Sequence, residues 1–437
     1  MLPDNNNDRS PFAIADGLPH DYADATTLAL SMAAGSRTAE AVVEAFLQRI
    51  AEHENRVHAF ASFSAAAVRG QVASAVASKG PLAGVPVGIK DMFDTVDHPT
   101  EYFSPLYQGN QPTADAQVVS LLRQAGAIIM GKTHTTEFAC MHTGPTRNPH
   151  DLRCTPGGSS AGSAAGVAAG FFPLALATQT AGSLIKPAAF CGVYGFKPSF
   201  GLVPLGGVKP LAPTFDTVGW YGRSVRDLQR LGTVLVPNLP MAPRLPARLR
   251  LGFCRTSRWA SLTPEVREAM RRAMARLMQF GHRVSEVTLP SRFDTLYADH
   301  ALINDAEGAR SLAAEYAAGA ERLGTSTRAM ITRGRAISWA EESGARARLS
   351  RLAPEMADRV AGYDAVLCPS CPTVAPTGLG STGPSDLIKL WTAFGLPQVN
   401  LPLCRVEGKL PLGLQVIGGH REDAQVLAVA EAISPLV

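Results

Sequence analysis

The sequence predicts an α/β protein: a single large domain over residues 1–437, layered α/β/α, with a mixed, mostly parallel central sheet flanked by helices. Three observations carry this expectation. Segments with helical spacing of apolar residues alternate with short apolar runs along the chain. Apolar residues make up 46% and charged residues only 18%, which supplies a large core and excludes disorder as the dominant state. No linker-like stretch separates independent halves, and the Pro-rich run from Val236 to Pro246 is the one candidate boundary.

In chain order, an N-terminal helical segment spans about 20–80. Val42, Ala45, Phe46 and Ile50 share one face of a helix over Ala39 to Glu54, and a second helix runs from about Ser64 to Lys79. A first part of the core covers 81–235. It holds strands at Val85–Lys90, Ala127–Met130 and Leu174–Thr178, with helices at Asp115–Gln124 and Ser159–Ala169. The second part, 247–437, opens with a strand at Leu249–Cys254. Thr263 at the N-cap, Pro264 at the first position and Gly281 just past the end bracket a helix with Val266, Met270, Ala273 and Leu277 inward. A strand at Arg283–Leu289 and Ala/Arg-rich helices over Ala301–Arg359 follow. Strands at Ala365–Leu367, Gln398–Leu403 and Leu412–Ile417, then a helix at Asp423–Ile433, close the chain.

Composition also bounds the function. The net charge of +4 is small, and no Lys/Arg cluster is interleaved with aromatics, so neither nucleic acid nor a membrane surface is an expected partner. Seven cysteines, an odd number in a long chain, point to a reducing, cytoplasmic compartment rather than a disulfide framework. Met1 to Asp16 has no apolar run of the secretory kind. Thr155 to Ile185 is uncharged but studded with Gly, Ser and Thr, whereas a spanning helix needs about 20 predominantly apolar residues.

Several motifs match a pattern without its setting. Gly126-Ala-Ile-Ile-Met-Gly-Lys132-Thr133 has the letters of a phosphate loop, but its middle residues read as a buried strand. Gly158-Ser-Ser160-Ala-Gly162 has the letters of a nucleophile elbow, with His282, His300 and His420 later in the chain, yet no clear strand leads into it. Ser183-Leu-Ile-Lys186 has the Ser-x-x-Lys spacing, but Pro187 is expected to disrupt the helix that spacing needs. Cys368-Pro-Ser-Cys371 lacks a second ligand pair and reads as a strand end with buried thiols. His134, His142 and His150 have no metal-ligand spacing and read as polar packing.

Three other segments fit together. Lys90 ends an apolar strand, where it is either a surface cap or a desolvated amine able to act as a base near neutrality. Gly157-Gly158-Ser159-Ser160 opens a helix, either presenting hydroxyls with backbone N–H groups or forming a glycine turn with a serine cap. Thr178-Gln-Thr-Ala-Gly-Ser183 follows a strand, as an ordinary tight loop or as a set of N–H groups converging on an oxyanion.

With these three segments the sequence resembles the amidase signature family, most specifically from Gly157 to Pro198 with the lysine strand upstream, and more weakly over most of the chain. The resemblance implies a Ser-cisSer-Lys triad, with Ser183 as nucleophile, Ser159 as bridging serine after a cis Gly158–Ser159 peptide, and Lys90 as base. It places the oxyanion hole on the N–H groups of Thr180, Ala181, Gly182 and Ser183. It implies hydrolysis of a small-molecule carboxamide through an acyl-enzyme, with no cofactor, no metal and a homodimer as the assembly. The chain departs from the commonest family pattern, with Gln179 for Asp, Ala181 for Gly, and the basic residue at Lys186, one position later. Lys186 is expected either to bind an anionic substrate group or to join an ion pair behind the site. The alternatives are the catalytic subunit of a tRNA-dependent amidotransferase and a catalytically silent binding protein. Ala139–Gly144 and Leu302–Trp339 are expected to line the variable part of the pocket.

Overall fold

A computed structural model describes residues 23–236, 239–240, 243–403 and 410–437; the expectation about Met1 to Asp16 lies outside them, as does Cys404. One continuous sheet of eleven strands runs through the described residues. The strands are β1 (Phe60–Phe63), β2 (Pro86–Lys90), β3 (Ile128–Thr133), β4 (Leu174–Gln179), β5 (Tyr194–Lys197), β6 (Thr217–Gly222), β7 (Arg250–Cys254), β8 (Arg283–Val287), β9 (Ala365–Pro369), β10 (Gln398–Leu403) and β11 (Leu412–Ile417). Their spatial order is β1-β3-β2-β4-β6-β5-β10-β11-β9-β7-β8.

The sheet is mixed and layered between helices, as expected. Parallel pairing is confined to two blocks, β3-β2-β4 and β9-β7-β8. The ladders joining those blocks, from β4 through β6, β5, β10 and β11 to β9, are antiparallel, and so is the edge pair β1-β3. The reason lies in the connections: a parallel neighbour needs a crossover, and the segment from β5 to β6 carries no helix. The β5 and β6 sequences, Tyr-Gly-Phe-Lys and Thr-Val-Gly-Trp-Tyr-Gly, lack the alternation that announces a half-exposed strand, because both are almost wholly covered. They were not foreseen.

Strands β2, β3 and β4 are buried along their whole length, so both faces must be covered. The helix Ala161–Ala169 covers one of them. All nine of its residues are buried, and its Ala, Gly and Ser side chains permit close approach to the strands. Ser163 Oγ donates to the carbonyl of Leu176 on β4 at 2.8 Å and lies 2.6 Å from the Thr133 hydroxyl on β3. On the flank, helix Ala39–Val57 is capped by Thr38 and buries Val42, Val43, Phe46, Leu47 and Ile50. Ala45, expected inward, is exposed because the buried stripe is centred on Val43 and Leu47. Helix Pro264–Gln279 buries the expected Val266, Met270, Ala273 and Leu277, although the Thr263 side chain makes no capping bond. The Ala/Arg-rich region forms the helices Thr295–Ser311, Ala313–Gly319, Thr325–Ala336 and Trp339–Ala361. Among the described residues, no helix is long and apolar enough to cross a membrane.

Candidate active site

The C-terminal ends of β2 and β4 meet two turns, and the chemistry-bearing residues collect there. Lys90 is the last residue of β2 and is fully buried. Its Nζ lies 2.7 Å from Ser159 Oγ and 2.6 Å from Thr178 Oγ1 on β4. Burial pulls its pKa down to about 7, against the opposing pull of the Asp216 carboxylate. The surface-cap reading of Lys90 is thereby excluded.

The Gly157–Ser160 turn aims Ser159 at that amine. Gly157 has φ +85°, a left-handed conformation that favours glycine, and the Gly158–Ser159 peptide is cis, as the family resemblance implied. The Ser159 carbonyl accepts from the N–H groups of Thr136 and Ala161, at 3.2 and 2.8 Å. Ser160 faces elsewhere: its hydroxyl donates to the Thr178 carbonyl and accepts from the Thr178 N–H, pinning the turn to β4. Those two bonds to backbone take Ser160 out of consideration as an elbow nucleophile.

The segment after β4 is held by its carbonyls. The Thr180 carbonyl accepts from His300 Nε2 at 2.9 Å and the Ala181 carbonyl from Thr392 Oγ1 at 2.9 Å. The Gly182 carbonyl accepts from Lys186 N–H at 3.0 Å and the Ser183 carbonyl from Ser160 N–H at 3.2 Å. A planar trans peptide points its N–H opposite to its C=O. Fixing the carbonyls of 180, 181 and 182 therefore fixes the N–H groups of Ala181, Gly182 and Ser183. Gly182 is packed so closely that a Cβ would lie 2.7 Å from Ser385 Cβ.

Gln179 accounts for the departure at the position where the family usually has Asp. Its Oε1 accepts from the N–H groups of Leu184 and Ile185, both at 3.0 Å, satisfying the free amides that start helix Ile185–Cys191. Its Nε2 donates to Thr392 Oγ1 and faces Gln398 Oε1. Pro187 sits in the first turn of this helix, where no intrahelical N–H bond is lost; Ser183 precedes the helix, so Ser183 and Lys186 do not share the helical turn that Ser-x-x-Lys spacing needs. Asp216, which sequence reasoning missed, lies half-buried beside the segment; it accepts from Thr180 Oγ1 at 2.6 Å and from the Leu211 and Ala212 N–H groups, and desolvation pushes its carboxyl pKa up. Only its fold position signals it, since the sequence around it reads as an ordinary loop.

Ser159, Thr180, Ala181, Gly182 and Ser183 line one cavity of about 630 Å³. Its far walls come from the expected regions, with Ala139 to Met141 on one side and Asn304, Asp305, Met330 and Arg333 on another. The wall from Thr382 to Lys389 was not foreseen. Its charges are largely paired, Arg333 with Asp305 at 2.7 Å and Lys389 with Asp386 at 3.0 Å. Lys186 also lines it, buried, with Nζ donating to Thr382 Oγ1 at 2.8 Å and the Gly383 carbonyl at 3.0 Å, and burial lowers its pKa to about 8. These partners are neutral, so the expected ion pair behind the site is not what holds it.

The other motifs serve packing. Gly131-Lys132-Thr133 is part of β3, and Lys132 forms a buried ion pair with Asp91 at 2.9 Å. Cys368 and Cys371 are buried free thiols at the end of β9. His134 is half-buried and edge-on against Phe103, and His150 Nε2 lies 2.8 Å from the Cys191 carbonyl.

Residues 41–427 match the family described as Amidase. The chain is 35% identical to a glutamyl-tRNA(Gln) amidotransferase subunit of Symbiobacterium thermophilum, over 91% of this chain and 93% of the relative. It is 31% identical to the subunit of the same name from Halothermothrix orenii, over 90% and 92%. Among solved structures, one described as amidase superposes with TM-score 0.87 at 31% identity, covering 94% of this chain and 99% of the other. Native peptide amidase from Stenotrophomonas maltophilia superposes with TM-score 0.82 at 26% identity, covering 96% and 97%. The first two relatives are named as subunits of a glutamyl-tRNA(Gln) amidotransferase. Those names overturn the expectation of a small amide as sole partner, with a homodimer and no link to nucleic acid.

Proposed function

This chain belongs to the amidase family and is an enzyme of the amidase kind, and on that premise we propose that it cleaves a carboxamide C–N bond through an acyl-enzyme on Ser183. The observation that carries the proposal is the buried Lys90 amine 2.7 Å from Ser159 Oγ, at the wall of the cavity that Ser183 also lines. A serine hydroxyl is a weak nucleophile until a base takes its proton. Desolvated Lys90 supplies that base near neutral pH, and Ser159 relays the proton. As Ser183 Oγ bonds to the amide carbon, its proton passes to Ser159 Oγ while the Ser159 proton passes to Lys90 Nζ. The N–H groups of Ala181, Gly182 and Ser183, with Thr180 at the edge of the set, stabilise the negative oxygen. Return of the proton along the same path to the leaving nitrogen lets the C–N bond break. Water then attacks the acyl ester by the same relay in reverse, giving carboxylate and free Ser183.

The relatives' names favour ammonia release from glutamine as the catalytic subunit of a tRNA-dependent amidotransferase. Ala181 and Lys186 favour a second reading, a carboxamide other than glutamine, because they alter the cavity wall beside the nucleophile. Lys186 is the cavity's cation without a carboxylate partner among the described residues, and we assign it to an anionic group of the substrate. The buried free thiols support a reducing compartment, the cytoplasm.

Ammonia release measured over glutamine and a panel of carboxamides, with and without candidate partner subunits, separates the two readings. Ser183→Ala is expected to abolish release and labelling by a fluorophosphonate. Retained labelling removes Ser183 from the reaction. Lys186→Met is expected to weaken carboxylated amides selectively; an equal loss on neutral amides removes the anion assignment.

A further inference from the structure

The oxyanion segment is steered from the second part of the chain, by residues far from the triad in sequence. We propose that Thr392 and His300 are positioning residues for the reaction: together they set the peptide planes that aim the Gly182 and Ala181 N–H groups into the cavity. This deepens the proposed function and rests on it.

The Thr392 hydroxyl has one proton and two lone pairs. Gln179 Oε1 already accepts two backbone N–H bonds, so its Nε2 must face Thr392, at 3.0 Å. Gln398 Nε2 faces the same hydroxyl at 3.2 Å. Both lone pairs are thus taken, and the proton goes to a carbonyl. Ala181 O, at 2.9 Å, is closer than Ile388 O, at 3.3 Å. The Ala181 carbonyl shares its plane with the Gly182 N–H, so this bond holds that donor's direction.

His300 does the same one residue earlier. A carbonyl only accepts, so Nε2 carries the hydrogen toward Thr180 O. The ring is buried and stacked on Phe215, with centroids 4.3 Å apart, and that stacking fixes its angle. Burial lowers the imidazole pKa to about 4, which keeps the ring a neutral donor across the working range. The peptide so held carries the Ala181 N–H.

The two residues stand on helices Thr295–Ser311 and Asp386–Ala393, which also present Asn304 and Lys389 to the cavity. Substrate wall and oxyanion donors therefore share the same supports. A hydroxyl lost at Thr392 frees one donor's direction without touching the triad.

The test is saturation labelling of the full chain by a fluorophosphonate, which gives kinact and KI, with a thermal melt of each variant. Thr392→Val is expected to lower kinact about 10–100-fold with KI unchanged, since a misaimed donor loses much of what a deleted one does. Thr392→Ser, which keeps the hydroxyl, is expected to recover most of the rate. His300→Leu is expected to lower kinact similarly and His300→Gln to recover part of it; this pair decides the matter should Thr392→Val not fold. Wild-type kinact in both Thr392→Val and His300→Leu overturns the proposal, as does a loss in KI alone. An unlabelled wild-type chain, or a labelled Ser183→Ala, sinks the nucleophile assignment instead.

Discussion

At the residue scale, the Asp216 carboxylate acts on the buried Lys90 amine, and on the proposed mechanism that amine's proton affinity sets the working pH. A lysine in water holds its proton to about pH 10.4. Here burial brings the pKa to about 7, and the Asp216 charge keeps it from falling further. In the proposed mechanism the reactive form is the neutral amine, so activity is expected to rise with pH through about 7 and level off above it. A kcat/KM profile flat from pH 6 to 9 would rule Lys90 out as the base. Asp216→Asn removes the carboxylate that favours the charged amine, so the acid limb is expected to move to lower pH; an upward move contradicts that account. Lys90→Ala is expected to cost about 10²–10⁴-fold, the usual range for a general base. The sequence supplied the residue types, a lysine at a strand end and serines after glycines. It did not supply the desolvation, which depends on Thr178, Ser159 and the strands around them.

At the scale of elements, helix Ile185–Cys191 is the one most exposed to a single change. It is short, and Gln179 satisfies two of its first amides. Gln179→Glu keeps those acceptors but turns the other oxygen toward Gln398 Oε1 and replaces a donor to Thr392. A buried polar atom left without its partner costs about 1–3 kcal/mol, and that loss of stability is expected in a denaturant melt. Restoring stability by a second change at Gln398 would show that the two amides act as a pair. The Gln-for-Asp departure was visible in the sequence; its compensation was not, because Thr392 and Gln398 lie more than two hundred residues away.

Across the whole molecule, the sheet also buries lysines that do not line the cavity, Lys132 and Lys197. Lys197 at the end of β5 is fully buried, donates to the Pro198 carbonyl at 2.7 Å, and has its pKa lowered to about 7 by burial. Its unfolded value is about 10.4, so between 7 and 10.4 the unfolded chain binds more protons and stability rises with pH. Lys197→Met removes that contribution. The variant is expected to gain stability over wild type near pH 7 and to lose the advantage toward pH 10, with about 1.4 kcal/mol at stake for each tenfold change in proton affinity on folding. Melts at the two pH values check this; an advantage that grows toward pH 10 contradicts it.

The sequence by itself determined the layered α/β class and the strands β2, β3 and β4, because local patterning is written in neighbouring residues; Lys90, Ser159 and Ser183 were singled out by the family resemblance of their motifs, and their roles belong to the proposed mechanism. The sequence also determined that the phosphate-loop and elbow letters are decoys, since each lacked its setting. Only the tertiary structure decided the antiparallel middle of the sheet, the place of Asp216, the bonds from His300 and Thr392 to the segment after β4, and the lowered pKa of Lys90. Those properties come from groups brought together across the chain, and burial and hydrogen-bond partnership exist only once it has folded.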